Sequence, residues 1–145
     1  MTGMVLQVVY AALGSLSFGL LFNVRGLALA LSALGGGVGW AAYLALFAAT
    51  GKTVLSFFVG SAAISIYADS VARARRDPVT IYLVPALIPI VPGSGMYYTV
   101  YEFLSGNTER AVSLLLETFS IAIAIALGIA LASSVYWLVS RGKRR

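Results

Sequence analysis

Cysteine and histidine are both missing from this chain of 145 residues. Their absence excludes disulfides, thiolate nucleophiles, histidine-based metal sites and a Ser-His-Asp triad. Charge is scarce as well: Asp, Glu, Lys and Arg make up 10% of the residues, where a soluble domain carries about 25%. Hydrophobic residues make up 60%, and the mean hydropathy is +0.94. A soluble chain of this length has too little interior to hide so much apolar surface. Lipid removes the difficulty, because the outside of the fold then has no need to be polar. The net charge of +5 does not point to nucleic acid. The basic residues stand in short groups between apolar runs, the pattern of membrane orientation signals. No cofactor and no metal are expected.

A helix crosses the hydrocarbon core of about 30 Å with about 20 residues. Five apolar runs of suitable length cover residues 4–22, 27–49, 54–71, 79–104 and 111–139. The expected fold is all-α, a polytopic membrane helix bundle of five transmembrane helices forming one domain over residues 1–145. The start, Met1-Thr2-Gly3-Met4, lacks the basic residues that open a cleavable signal peptide, so the first run is expected to stay as a helix. Five spans put Arg25, Arg73, Arg75, Arg76, Arg141, Lys143, Arg144 and Arg145 on one side, and only Lys52 and Arg110 on the other. The basic excess places the C-terminus in the cytoplasm and the N-terminus outside. Ile121-Ala122-Ile123-Ala124-Ile125-Ala126 alternates as a strand would, but an open strand in lipid leaves backbone groups unpaired. Read as a helix, the last run carries two rows of small residues: Ala122, Ala126, Ala130, Ser134, and Ser120, Ala124, Gly128, Ala132. Such rows let another helix approach closely.

Two spans contain breakers. The second carries Gly35, Gly36, Gly37 and Gly39 in its middle, each costing about 1 kcal/mol of helix propensity against alanine. Tight packing through a GxxxG pair is one reading, and a break that unwinds the helix along a path is the other. The fourth span has Pro85, Pro89 and Pro92, then Gly93, Ser94 and Gly95. Each proline removes a backbone donor, and a freed backbone group in lipid must find its partner in protein or in a water-filled cavity. Broken helices of this kind form substrate sites in transporters. A helix restarting near Ser94 would offer free amides to a carboxylate. Tyr97, Tyr98 and Tyr101 follow the break, either as an interfacial aromatic belt or as a hydroxyl-lined vestibule.

Three carboxylates lie in or beside the spans and are candidates for proton coupling. Asp69 stands four residues before Arg73, the spacing of an intrahelical ion pair. Glu102 is near the outer end of the fourth span. Glu117 lies inside the fifth, where it either couples protons or pairs with Arg110. Two apparent motifs fail. Gly51-Lys52-Thr53 lacks the glycine a phosphate-binding loop needs at position 46, which is leucine, and Asn107-Thr108-Glu109 is not a glycosylation acceptor.

Phe22-Asn23-Val24-Arg25, the glycine cluster and Ile88-Pro89-Ile90-Val91-Pro92-Gly93-Ser94-Gly95 together resemble the threonine/serine exporter family, in particular its small five-helix, YjjB-like subunit. The resemblance runs over nearly the whole chain, and the proline-glycine motif is its most specific part. It implies a proton-driven exporter of small carboxylates in the plasma (inner) membrane of a prokaryote. It also implies a larger YjjP-like membrane partner, or self-association into a homo-oligomer. The substrate it implies is threonine or serine, or a dicarboxylate such as succinate. Asn23, Pro92, Gly93 and Gly95 carry over as motif positions. A subunit that only stabilises its partner, with no path of its own, is the alternative. An intramembrane enzyme is disfavoured by the lack of His and Cys.

Overall fold

The computed structural model describes residues 2–142. Lys143, Arg144 and Arg145, which enter the orientation argument, lie outside the described residues. The described residues form helices joined by short turns, with no strand among them. The elements are α1 (Thr2–Leu21), α2 (Leu27–Thr50), α3 (Thr53–Arg75), α4 (Thr80–Leu87), a single 3₁₀ turn (Ile88–Ile90), α5 (Gly93–Leu104) and α6 (Thr108–Gly142). Four of them, α1, α2, α3 and α6, are long and apolar enough to cross a membrane. The pair made by Thr80–Ile90 and Gly93–Leu104 passes the same test if counted as one span, bent by 46° at its break. The alternating stretch Ile121–Ala126 is helical.

The turns are built from left-handed caps. Asn23 takes a φ of 61°. The amide of Val24 reaches back to Gly19 O at 2.9 Å, and that of Asn23 to Leu20 O at 3.0 Å. These two bonds satisfy the last carbonyls of α1 in a Schellman arrangement. Gly106 ends α5 in the same way at φ 84°, with Asn107 N bonded to Glu102 O at 2.9 Å. Helix α3 runs past its apolar stretch to Arg75, because Arg73 and Arg75 sit in its last turn, where cations meet the negative end of the helix dipole.

Small and hydroxylated residues make up most of the interior, with Tyr82, Ile64 and Ile90 its largest side chains. Ala68, Ala86, Ser32, Ser56 and Ser61 are fully buried, while Leu20, Leu104, Leu116 and Phe119 stand on the outside. This distribution suits a lipid exterior, since helices there associate through close backbone approach and not through hydrophobic exclusion from water. The glycine cluster follows the same logic. Helix α2 continues unbroken through Gly35, Gly36, Gly37 and Gly39, so these glycines do not interrupt it. They are contact points: Gly35 faces Ala86 and Tyr67, Gly36 faces Ser15, Gly37 faces Ala12 and Val8, and Gly39 faces Ile64. On α6, Ala124, Gly128 and Ala132 are buried while Ser120 of the same row is exposed, with Gly128 set against Ser61 and Phe58 of α3. The other row, Ala122, Ala126, Ala130 and Ser134, is exposed.

Helix α4 is the most enclosed element, packed among α1, α2 and α3, with Tyr82 and Ala86 fully buried. Pro85 lies inside it. Proline has no N–H, so Ile81 O loses the donor that residue 85 would supply. The hydroxyl of Ser32 on α2 stands in partly, sharing its one proton between Ile81 O at 3.0 Å and Ala28 O at 2.8 Å. Ser15 is the exception among the buried hydroxyls: it faces Gly36, and its Oγ has no hydrogen-bond partner among the described residues.

Replacing Ser32 by alanine removes this shared donor from Ile81 O in an apolar interior, a loss of about 0.5–1.5 kcal/mol. The denaturation midpoint of Ser32→Ala in detergent should fall accordingly. Ser17→Ala, at an exposed position bonded only within its own helix at 2.9 Å, should leave it unchanged.

Candidate functional site

The break in the fourth span begins where α4 tightens into the 3₁₀ turn. Pro89 would break an α-helix, and the tighter turn accommodates it: the amide of Ile88 bonds Pro85 O, and that of Val91 bonds Ile88 O at 3.3 Å. The chain then extends at Val91, with ψ 131°, and restarts as α5. No side chain caps the first turn of α5. Gly93 faces open space, and both it and Ser94 are exposed. Gly95 lies so close to Thr118 of α6 that a β-carbon would collide with the hydroxyl. Thr99 Oγ1 donates to Gly95 O at 2.7 Å. The bend carries α5 away from the other helices, so that it packs on α6 alone. Tyr97 and Tyr101 stack with centroids 6.3 Å apart, and Tyr98 meets Tyr97 edge-on at 5.3 Å. All three are exposed and form an aromatic strip on α5.

A second polar feature lies between α3 and α6. Ser61, Ser65, Asp69 and Arg73 recur every four residues and share one face of α3. Ser65 Oγ is 3.3 Å from Ile129 O and 3.1 Å from Ser133 Oγ. Ser133 Oγ donates to Asp69 Oδ2 at 2.7 Å. The Arg73 guanidinium lies over the Tyr136 ring, 5.1 Å from its centroid. The ion pair expected between Asp69 and Arg73 is therefore not made: α6 supplies each with its own partner, at positions three residues apart. Beyond them the helices open into a cavity of about 1030 Å³, lined by Asp69, Arg73, Arg76, Asp77, Ser133 and Ser140 among others.

One wall of this cavity is fixed. Asp77 Oδ2 accepts hydrogen bonds from Tyr82 Oη and from Arg75 Nε, the latter at 3.2 Å. The Tyr82 hydroxyl, and then Arg75, hold the Asp77 carboxyl below the ordinary value of 3.8.

The residues expected to share a site from the sequence fall in separate places. Asn23 caps α1 and accepts a 3.0 Å hydrogen bond from Arg25 Nε. Pro92, Gly93, Ser94 and Gly95 form the break, and Tyr97, Tyr98 and Tyr101 the strip beyond it. Glu102 is paired with Arg110 at 3.2 Å and accepts from Asn107 at 2.8 Å. Arg110 thus serves Glu102 and not Glu117, which is exposed on α6. Asp69 is half-buried at the cavity. Ser133, the α6 partner of Asp69, and Tyr136, that of Arg73, are not marked by any local pattern; the four-residue recurrence from Ser61 to Arg73 is the signal the sequence carries.

Residues 7–135 match the model of the family described as threonine/serine exporter, ThrE. The chain belongs to this family. Comparison with curated proteins and with solved structures gave no match. The matched region of the threonine/serine exporter family takes in Asn23, the glycine cluster, the break and the Asp69–Ser133 contact. It is a transporter family and not an enzymatic one, and the apolar helices make this member a multi-pass membrane protein.

The sign of the Asp77 effect is fixed. A carboxyl held below 3.8 in the folded state stabilises the fold above that pH, and the contribution is lost as pH falls toward the folded value. The melting temperature of the wild type should drop between about pH 5 and pH 3, and Asp77→Asn should flatten that part of the profile. Equal acid sensitivity in both proteins would contradict the assignment.

Proposed function

We propose that this chain is a subunit of a secondary transporter that exports small carboxylate-bearing metabolites of the threonine/serine type, driven by proton entry, in the plasma membrane of a prokaryote. The observation that carries this reading is the broken fourth span. A continuous helix would suffice to hold a bundle together. Here the backbone is interrupted between Ile88 and Gly93, and α5 begins with an uncapped first turn. Non-helical backbone at membrane depth is tolerated where it lies in protein or lines a cavity, and transporters use such segments to meet their cargo.

The bent pair counts as one span in this reading, which gives five crossings. The turns at Arg25 and Arg75–Asp77 then share the cytoplasmic side with the end of α6, and Lys52 and Arg110 face outward. Proton coupling needs a carboxylate that is not already committed. Glu102 is held by Arg110 and Asn107. Glu117 stands exposed within an apolar stretch, where lipid makes a lone charge costly, and we assign the coupling role to it. A larger YjjP-like subunit, which α5 and the exposed row Ala122–Ser134 would meet, completes the exporter.

Efflux from cells or proteoliposomes holding this chain with its partner tests the transport reading. Gly95→Val drives a branched side chain into Thr118 and should cut threonine efflux at least tenfold. Gly93→Ala, which meets open space, should leave it near wild type. Normal efflux from a well-expressed Gly95→Val protein would remove the break from the path. Since the chain has no cysteine, single cysteines report topology cleanly. One placed at Asn107 should react with an impermeant maleimide from outside intact cells, and one at Arg76 only after lysis. The reverse result would invert the orientation.

A further inference from the structure

We infer that the cavity between the cytoplasmic ends of α3 and α6 is a binding site for zwitterionic α-amino acids, with Asp69 receiving the ammonium group and Arg73 the carboxylate. The inference rests on the transport reading above and names the side chains that select its cargo.

Its basis is a pair of opposite charges held apart. Side chains four residues apart on a helix stand about 5–6 Å from one another at Cβ, and an Asp and an Arg at that spacing close on each other when nothing intervenes. Here α6 intervenes twice. Ser133 draws Asp69 to itself at 2.7 Å, and Tyr136 takes the face of the Arg73 guanidinium. A guanidinium that stacks on a ring keeps its N–H groups in the plane, free for bidentate contact with a carboxylate. Among the described residues Arg73 makes no ion pair, and nothing donates to Asp69 Oδ1. Both groups line the same cavity.

The other charges on the wall do not fill this gap. Asp77 is engaged by Tyr82 and Arg75, and Arg76 adds a second cation on the same side. A molecule with an ammonium and a carboxylate on one carbon bridges Asp69 and Arg73 and satisfies both. A hydroxyl on its side chain finds Ser133, Ser134 or Ser140 on the cavity wall. A dicarboxylate has a partner in Arg73 but sets its second anion against Asp69. Asp69 is therefore the residue that separates the two classes of cargo.

The test uses the full chain in lipid nanodiscs with L-threonine and succinate as probes. Trp137 lines the cavity, so tryptophan fluorescence in a Trp40→Phe background follows occupancy. L-Threonine should give a saturable change that succinate does not compete away. Asp69→Asn should weaken L-threonine at least tenfold and allow succinate to compete, while Arg73→Gln should weaken L-threonine without admitting succinate. Ser133→Ala, a milder change that lets Asp69 close on Arg73, should weaken L-threonine several-fold in a protein of unchanged secondary structure. Unchanged L-threonine affinity in Ser133→Ala and in a folded Asp69→Asn protein would overturn the site, as would equal competition by succinate in the wild type. Binding judges the site and efflux judges the transport reading, so the two failures are separable: efflux intact with affinities unmoved rejects the site alone.

Discussion

Every amide that proline removes from the fourth span leaves a carbonyl in need of a donor, and in apolar surroundings water does not supply one. Pro85, Pro89 and Pro92 orphan Ile81 O, Pro85 O and Ile88 O in turn. Two of the three are repaired locally, by Ile88 and Val91 bonding one residue closer than in an α-helix. The third is repaired from outside, by the hydroxyl of Ser32 on α2. Alongside it Gly35 admits Ala86, Ile90 meets Gly60, and Tyr67 Oη donates to Leu31 O at 2.9 Å between α3 and α2. The bend of 46° is the geometric result of stopping the α-helical pattern at Leu87 and starting it afresh at Gly93.

Helix α3 links the two polar features. One of its faces, Ile64, Ala68 and Ala72, receives α4. An adjoining face, Ser61, Ser65 and Asp69, is turned to α6. The hydroxyl chain on this second face runs toward the Asp69 carboxylate and ends at the cavity. The break and the carboxylate remain separate, since Ile90 touches α3 at Gly60 and Ile64, and nine residues from Gly60 to Asp69 span about 14 Å of helix. On the proposed reading, cargo passing from one polar feature to the other would travel most of a helical half-span.

Much of this architecture was legible in the sequence because lipid imposes long uninterrupted apolar runs and proline marks its own position. The four long apolar helices, the interruption in the fourth apolar run and the helical nature of Ile121–Ala126 all follow from those two facts. The meaning of the glycines did not follow. Gly35 to Gly39 read more readily as a contact surface than as a break, and Ala86, Ser15 and Ile64 seated against them decide for contact. Nor could spacing settle the fate of Asp69. The interval to Arg73 predicts an intrahelical pair, but the competing partners Ser133 and Tyr136 come from a helix more than sixty residues further along. Likewise, Arg110 choosing Glu102 over Glu117 depends on how α5 folds back on α6, which no local pattern encodes.

The bond from Ser32 to Ile81 O bears on how the protein is made. Residues 80–90 are about half the length needed to cross a bilayer as a helix, and they carry an internal defect. As they leave the ribosome, α2 and α3 have already been synthesised, and the donor that mends the defect is in place. The chain order thus presents the cradle before the fragile segment. A rearrangement that moved the fourth span ahead of the second would ask the insertion machinery to hold an unpaired carbonyl in lipid until Ser32 arrived.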